Sequence, residues 1–276
     1  MNFTIHQMLK GLYSPSLLFI YLLRKIPLRL FFRLRLEIDA VPRPYYAYGM
    51  LKAAEQAKRL GINRISAIEF GVAAGHGLVV MEQLACQVSK VTGISIDVYG
   101  FDAEIGLPEP ADYRDSPFIW QKSFFKMDKE SLESRIKPET RLILGDVSST
   151  VPQFITGDFA PIGFISFDLD YYSSTKAAFE IFNVENHKVL PRVFCYFDDI
   201  IGNDEEIMSQ FVGELLAIDE YNAENKHSKI DLSRGLKFNR IIPATWPSMI
   251  YVMHRFNHPQ YNTYLFPERE RQYQAI

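Results

Sequence analysis

The sequence predicts an α/β fold in which a mostly parallel β-sheet is covered by helices on both faces. Three observations point to it. Short apolar runs alternate with stretches of helical spacing between residues 46 and 200. The strand-like runs are nearly continuous in Val, Ile and Phe, as strands buried on both faces are. Several of them end in glycine or aspartate, residues that turn a chain.

Taken in order, Pro42 and Pro44 of "VPRPYY" separate an N-terminal arm, residues 1–44, from a domain over 45–276. "YAYGMLKAAEQAKRLG" (46–61) predicts an amphipathic helix stopped by Gly61. "RISAIEFG" reads as the first strand. The helix after it, "HGLVVMEQLACQVSK", sets Leu78, Val79, Met81, Leu84 and Ala85 at helical spacing. "DVYGFD" is the second strand. Residues 103–138, rich in Pro, Asp and aromatic side chains, predict a lid. "RLILGD" and "IGFISFD" are the third and fourth strands. "SSTKAAFEIFNV" is a helix that Ser173 or Ser174 can cap, and "VFCYFD" is the fifth strand. An acidic helix is expected over "NDEEIMSQFVGELLAIDEYNAEN", within a second lid at 202–240, and "PSMIYVMHRF" reads as a strand completing the sheet.

An apolar fraction of 47% in 276 residues is enough for a substantial core. The net charge of −3 gives no basic field, so nucleic acid is not the expected partner. Cys86 and Cys195 lie far apart in apolar contexts and predict core filling in a reducing cytoplasm rather than a disulfide. "SLLFIYLLRKIPLRLFFRLRLEI" mixes Arg24, Lys25, Arg29, Arg33 and Arg35 with bulky apolar residues. Its longest apolar run falls far short of the roughly 20 residues that span a bilayer, and its charge order is not that of a cleaved signal. Two readings stand for this arm. It is a helical arm packed on the domain or on a second subunit of a homo-oligomer, or residues 17–36 make peripheral contact with an anionic membrane surface.

The first strand ends in "EFGVAAGHG", with Glu69, Gly71, Gly75 and Gly77 around His76. Glycines at a strand-to-helix turn let the backbone pass close to a ligand, over the free N–H groups of the next helix. The spacing is not the GxGxxG of a dinucleotide site and suits the carboxylate and amino groups of a ligand without phosphates. Asp102, ending the second strand, is placed to accept hydrogen bonds from two ribose hydroxyls, or to cap a helix. Asp146, followed by Val147, ends the third strand where an adenine amino group could be held, or where a turn needs an aspartate.

The fourth and fifth strands end in "FDLD" and "FDD", that is Asp168, Asp170, Asp198 and Asp199. Neighbouring strands run about 4.8 Å apart, so these acids can converge above the sheet, where open α/β folds bind ligands. Carboxylates crowded together repel one another and raise their pKa values. A hard divalent cation relieves that repulsion, and an all-oxygen set suits Mg²⁺ or Mn²⁺. Asp168, Asp198 and Asp199 are therefore the candidate metal ligands. Asp170 is the candidate general base, or a fourth ligand.

"IEFGVAAGHGL", "GFDAEIGLPEP", "GDVSSTVPQF", "FDLDYYSSTKAAFE" and "FDDI" together resemble the Rossmann-like, class I S-adenosylmethionine-dependent methyltransferases. Within that class they are most similar to the macrocin O-methyltransferase-like family of natural-product sugar methyltransferases. The likeness spans residues 65–200, about half the chain. It implies a three-layer α/β/α sandwich on a seven-stranded sheet. It also implies S-adenosylmethionine held by Glu69, Gly71, Gly75, His76, Gly77, Asp102, Asp146, Val147 and Asp168, and magnesium held by the aspartates above with a carboxylate as base. The expected activity is O-methylation of a hydroxyl on a sugar or glycosylated small molecule. A phenolic or catechol acceptor, or a non-catalytic assembly protein that keeps the cofactor pocket, are the alternatives. Four mutually repelling acids weigh against the last.

His187, His227, His254 and His258 show no metal-ligand spacing and read as surface or packing residues. Glu205 and Glu206 read as a solvated helix start, or as a substrate contact. Tyr113, Trp120, Phe124 and Phe125 in the first lid either stack on a ring or pack the lid down.

Overall fold

The computed structural model describes residues 31–266. Residues 1–30, and with them most of the segment expected to meet a membrane or a second subunit, lie outside the described residues. Among the described residues no helix is long and apolar enough to cross a membrane.

Seven strands form one sheet in the order β3-β2-β1-β4-β5-β7-β6. The strands are β1 (Arg64–Phe70), β2 (Ser95–Asp102), β3 (Arg141–Leu144), β4 (Ile162–Phe167), β5 (Val189–Phe197), β6 (Ser228–Leu232) and β7 (Ile250–Arg255). Pairing is parallel from β3 through β5, and β7 runs antiparallel to both β5 and β6. The helices are α1 (Phe32–Glu37), α2 (Pro44–Arg59), α3 (His76–Thr92), α4 (Lys129–Glu133), α5 (Val147–Thr156), α6 (Tyr172–Ala178) and α7 (Gly213–Glu224).

Helix α2 starts on Pro44, whose fixed φ suits the first helical position. It lays Tyr46, Ala47, Met50, Ala53, Ala54 and Ala57 on the sheet, all fully buried. Small residues bring it close. A Cβ on Gly49 would stand 2.4 Å from the Phe164 ring.

Four phenylalanines end the central strands in register. Phe101 pairs with Phe70, Phe70 with Phe167, and Phe167 with Phe197. Their rings pack in a row, with centroid separations of 4.8, 5.4 and 4.8 Å. Burying one such ring contributes about 1.5–3 kcal/mol, so this floor is well stabilised. The next residue on each strand is Asp102, Gly71, Asp168 or Asp198. Backbone bonds continue the ladder one step further: Gly71 donates to Phe101, Asp168 to Phe70 and Asp198 to Phe167, at 2.9, 3.1 and 3.0 Å. The apolar ladder thereby sets the polar residues side by side.

Several expectations need correction. The C-terminal strand β7 joins the sheet as expected, but not as its last strand. It inserts between β5 and a strand at 228–232 inside the supposed second lid, where Ile230 is buried among the core residues. The helix expected from residue 203 begins only at Gly213, whose φ of 57° breaks continuity with the turn before it. Helix α6 is not capped by Ser173 or Ser174. Its N-cap is Tyr171, and Asp115 of the first lid accepts the Ser173 N–H at 2.8 Å instead. Cys195 is buried as expected but Cys86 is exposed, because it falls on the outer face of α3.

The described end of the arm packs on the domain, with Phe32, Leu36 and Val41 in the same core. Arg240, almost fully buried, clasps it by pairing with Asp39 at 2.6 Å and donating to the Leu36 carbonyl at 2.8 Å. The same guanidinium lies 4.9 Å from the Trp246 ring centre.

Candidate active site

A cleft of about 770 Å³ opens over the carboxyl ends of β1, β2, β4 and β5. Every residue expected to hold cofactor or cation except Gly75 lines it: Glu69, Gly71, His76, Gly77, Asp102, Asp146, Val147, Asp168, Asp170, Asp198 and Asp199. Gly75 itself sits behind the wall, where its φ of 78° turns the chain and a Cβ would strike Leu132 of α4.

The glycine turn is tight for local reasons. Gly71 has φ 83°, and a Cβ there would come 1.7 Å from the Asp168 carbonyl oxygen. A Cβ on Gly77 would come equally close to Glu69 Oε1. Glu69 is buried on β1 and accepts from the Tyr46 hydroxyl at 2.7 Å, while Tyr46 accepts from Ser166 at 2.9 Å and from Arg43 at 3.2 Å. Burial pushes the Glu69 carboxyl up to about 7. Its Oε2 is buried with no hydrogen-bond partner.

Asp102 and Asp146 already serve the backbone. Asp102 accepts the Ala73 N–H at 2.8 Å and the Glu104 N–H at 2.6 Å, so it braces the glycine turn. Asp146 caps α5 by accepting the Ser148 N–H at 2.8 Å. Both line the cleft, and each carboxylate has lone pairs left to accept further hydrogen bonds.

The acids divide into a cluster and an outlier. One oxygen from each of Asp168, Asp198 and Asp199 lies within 4.8 Å of the others. Asp170 lies outside this group of three. Its backbone sits at φ 59°, left-handed, and its N–H donates to Asp199 Oδ2 at 2.8 Å. Such strain is typically held where surrounding structure fixes it for function. Burial, then Asp199 and Asp198, holds Asp168 well above the ordinary carboxylate range. Burial with Asp170 and Asp198 does the same for Asp199, and burial with Asp168 raises Asp170 to about 8. The Tyr196 hydroxyl donates to Asp198 Oδ1 at 2.5 Å, and Tyr45 stacks on the Tyr196 ring at 4.1 Å.

Sequence reasoning missed three participants. Glu214, on the first turn of α7, is fully buried and accepts the Asp199 N–H at 3.1 Å. Burial and then Asp199 hold its carboxyl far above its usual range. Nothing in an acidic amphipathic stretch distinguished it from its solvated neighbours. Arg43 and Tyr46 carried a signal in "VPRPYY": a residue wedged before Pro44 is barred from right-handed helix, and Arg43 takes φ 42°. Of the lid aromatics, Trp120 and Phe125 line the cleft, while Tyr113 is exposed away from it. Glu206 also lines the cleft, on a turn closed by Asn203 rather than on a helix start.

No protein-family model and no curated protein matches the sequence. Solved structures do. The O-methyltransferase NovP is similar over 77% of this chain and 80% of its own, with 15% identity and a TM-score of 0.52. The calicheamicin methyltransferase CalS11 is similar over 93% of this chain and 95% of its own, with 20% identity and a TM-score of 0.51. The chain has the class I methyltransferase fold. At these identities the likeness is one of fold. Within a class I methyltransferase fold, the β1 turn, Asp102 and Asp146 stand on one side of the cleft and the acidic cluster on the other.

Proposed function

We propose that this chain is an S-adenosylmethionine-dependent O-methyltransferase that works with a divalent cation on a hydroxyl of a sugar or glycosylated small molecule. One observation carries the reading. The glycine turn of β1 and the clustered carboxylates of Asp168, Asp198 and Asp199 line the same cleft. The fold shared with NovP, an O-methyltransferase, and CalS11, a calicheamicin methyltransferase, supports it.

The residues present fit both groups. Three carboxylates without nitrogen or sulfur donors suit Mg²⁺ or Mn²⁺ rather than zinc. The unpartnered Glu69 Oε2 suits an ammonium, and the missing Cβ atoms at Gly71 and Gly77 leave room for close backbone approach. When bound, the cofactor supplies an electrophilic methyl group and the cation supplies positive charge that acidifies a hydroxyl.

Asp168, Asp198 and Asp199 would hold the cation, with Tyr196 and Glu214 fixing the last two. Glu69, Gly71, Gly75, His76 and Gly77 would hold the amino-acid end of the cofactor, Asp102 its ribose, and Asp146 with Val147 its adenine. Asp170, outside the cation set but in the same wall, takes the proton from the acceptor oxygen. The phenylalanine floor keeps these groups aligned, and alignment of nucleophile with methyl carbon supplies much of the rate. The arm, 1–44, is proposed as an appendage of the catalytic domain, 45–276.

The test is labelled-methyl transfer into fractionated cell extract, with and without chelator. Transfer into a glycan or small-molecule fraction, lost in chelator and restored by Mg²⁺, is expected. Transfer unchanged in chelator would remove the cation from the proposal. Lack of thermal stabilisation by S-adenosylhomocysteine would remove the cofactor.

A further inference from the structure

We infer that the acceptor is an uncharged amphiphile, a hydroxyl-bearing head carrying an alkyl or aryl group, and not a nucleotide-activated sugar. This rests on the methyltransferase reading and deepens it. Two independent features of the cleft lead to it, its charge and its mouth.

A diphosphate needs lysine, arginine or free backbone N–H groups to replace its lost hydration. Among the described residues the lining carries eight carboxylates, from Glu69 to Glu206, and one guanidinium, that of Arg43. Arg43 is already engaged, donating to the Tyr46 hydroxyl at 3.2 Å and lying 5.0 Å from that ring's centre. Lys122 and Lys126 of the first lid are not in the lining, and Lys122 pairs with Glu109 at 3.3 Å. A divalent cation offsets only part of the charge of the three carboxylates that would hold it, Asp168, Asp198 and Asp199, and Glu206 adds another acid to the same lining. The acceptor side therefore repels anions.

The mouth is apolar on both sides. Ile105 and Phe125 from one loop and Ile201 from the other line the cleft while 69%, 51% and 43% exposed. Trp120 packs edge-on against Phe125 at 5.9 Å. The first loop is braced rather than loose. Leu107 donates to the Phe124 carbonyl at 2.9 Å, Ser123 to Leu107 at 2.8 Å, and Met127 to Glu104 at 3.1 Å. Aromatic and branched side chains displayed on a braced loop beside a polar cluster suit a ligand with a polar head and an apolar body.

The experiment titrates the full chain, supplied with Mg²⁺ and S-adenosylhomocysteine, with three probes sharing one sugar, and follows tryptophan fluorescence. The probes are methyl glucoside, octyl glucoside and UDP-glucose. Octyl glucoside is expected to bind at least about tenfold tighter than methyl glucoside, since each buried methylene adds to affinity, and UDP-glucose to bind more weakly than either. The double variant Phe125→Ser, Ile201→Ser is expected to abolish the octyl preference. UDP-glucose binding as tightly as octyl glucoside, equal binding of the two alkyl glucosides, or no octyl glucoside binding would each overturn the inference. Thermal stabilisation by S-adenosylhomocysteine, read on the same samples, tests the methyltransferase reading separately.

Discussion

Phe167 and Phe197 stack with ring centroids 4.8 Å apart and planes 8° from parallel, and each is followed at once by a carboxylate of the acidic cluster. The apolar pair holds the ends of β4 and β5 in register, and so fixes the distance between Asp168 and Asp198. Packing and function are linked through a single peptide bond on each strand.

Removing that ring should therefore damage both. Phe167→Ala is expected to cost about 3–5 kcal/mol in urea denaturation, the usual range for a fully buried phenylalanine. It should also weaken cation binding, although it touches no ligand oxygen. A variant that keeps full cation affinity would show that the carboxylates are positioned by something other than the floor.

The glycine turn gives a second, sharper test. Gly77→Ala places a methyl group 1.7 Å from where Glu69 Oε1 now stands. The carboxylate must move, and its contact with the Tyr46 hydroxyl goes with it. We expect S-adenosylhomocysteine to lose most of its thermal stabilisation of this variant, with the fold retained because φ at this position is helical. Unchanged stabilisation would detach Glu69 from the cofactor.

Glu69 also makes the fold sensitive to pH. Its folded pKa of about 7 lies above the ordinary 4.5. A raised carboxyl favours the fold while protonated, so its contribution is complete below pH 4.5 and is lost as pH rises to about 7. The ionised group then costs on the order of 3 kcal/mol. Asp168, Asp170, Asp199 and Glu214 are raised too and act in the same sense. Wild type and Glu69→Gln should therefore be compared at pH 5 and pH 8 by urea denaturation. The variant, whose amide oxygen can still accept from Tyr46, should lose less stability between the two. Parallel losses would mean that Glu69 ionises freely in the folded state.

Asp170 can be separated from the cation ligands by chemistry. Asparagine tolerates the left-handed backbone that Asp170 adopts, so Asp170→Asn should fold. Methyl transfer should fall by about 10²–10⁴-fold, the range for loss of a general base, with cation affinity retained. Loss of the cation together with activity would make Asp170 a ligand.

Much of this arrangement was legible in the sequence, because strand ends are local features. Apolar runs ending in Gly71, Asp102, Asp168 and Asp198 gave both the parallel strands and the line of residues above them. What was not legible is long-range. Strand β6 is short and half polar, "SKIDL", and only its pairing with β7 makes it a strand. Asp115 reads as a loop acid, and its burial against Ser173 follows from how the lid folds back. Glu214 shares its composition with exposed neighbours. It lies against Asp199 because α7 docks there.

The most direct measurement is Mn²⁺ binding, followed by electron paramagnetic resonance, to the full chain saturated with S-adenosylhomocysteine. The wild type should bind one ion, and Asp198→Asn should weaken it by at least about tenfold, as loss of a ligand does, while S-adenosylhomocysteine still stabilises the variant. Equal Mn²⁺ binding by wild type and variant, or none by the wild type, would contradict a cation held by Asp168, Asp198 and Asp199.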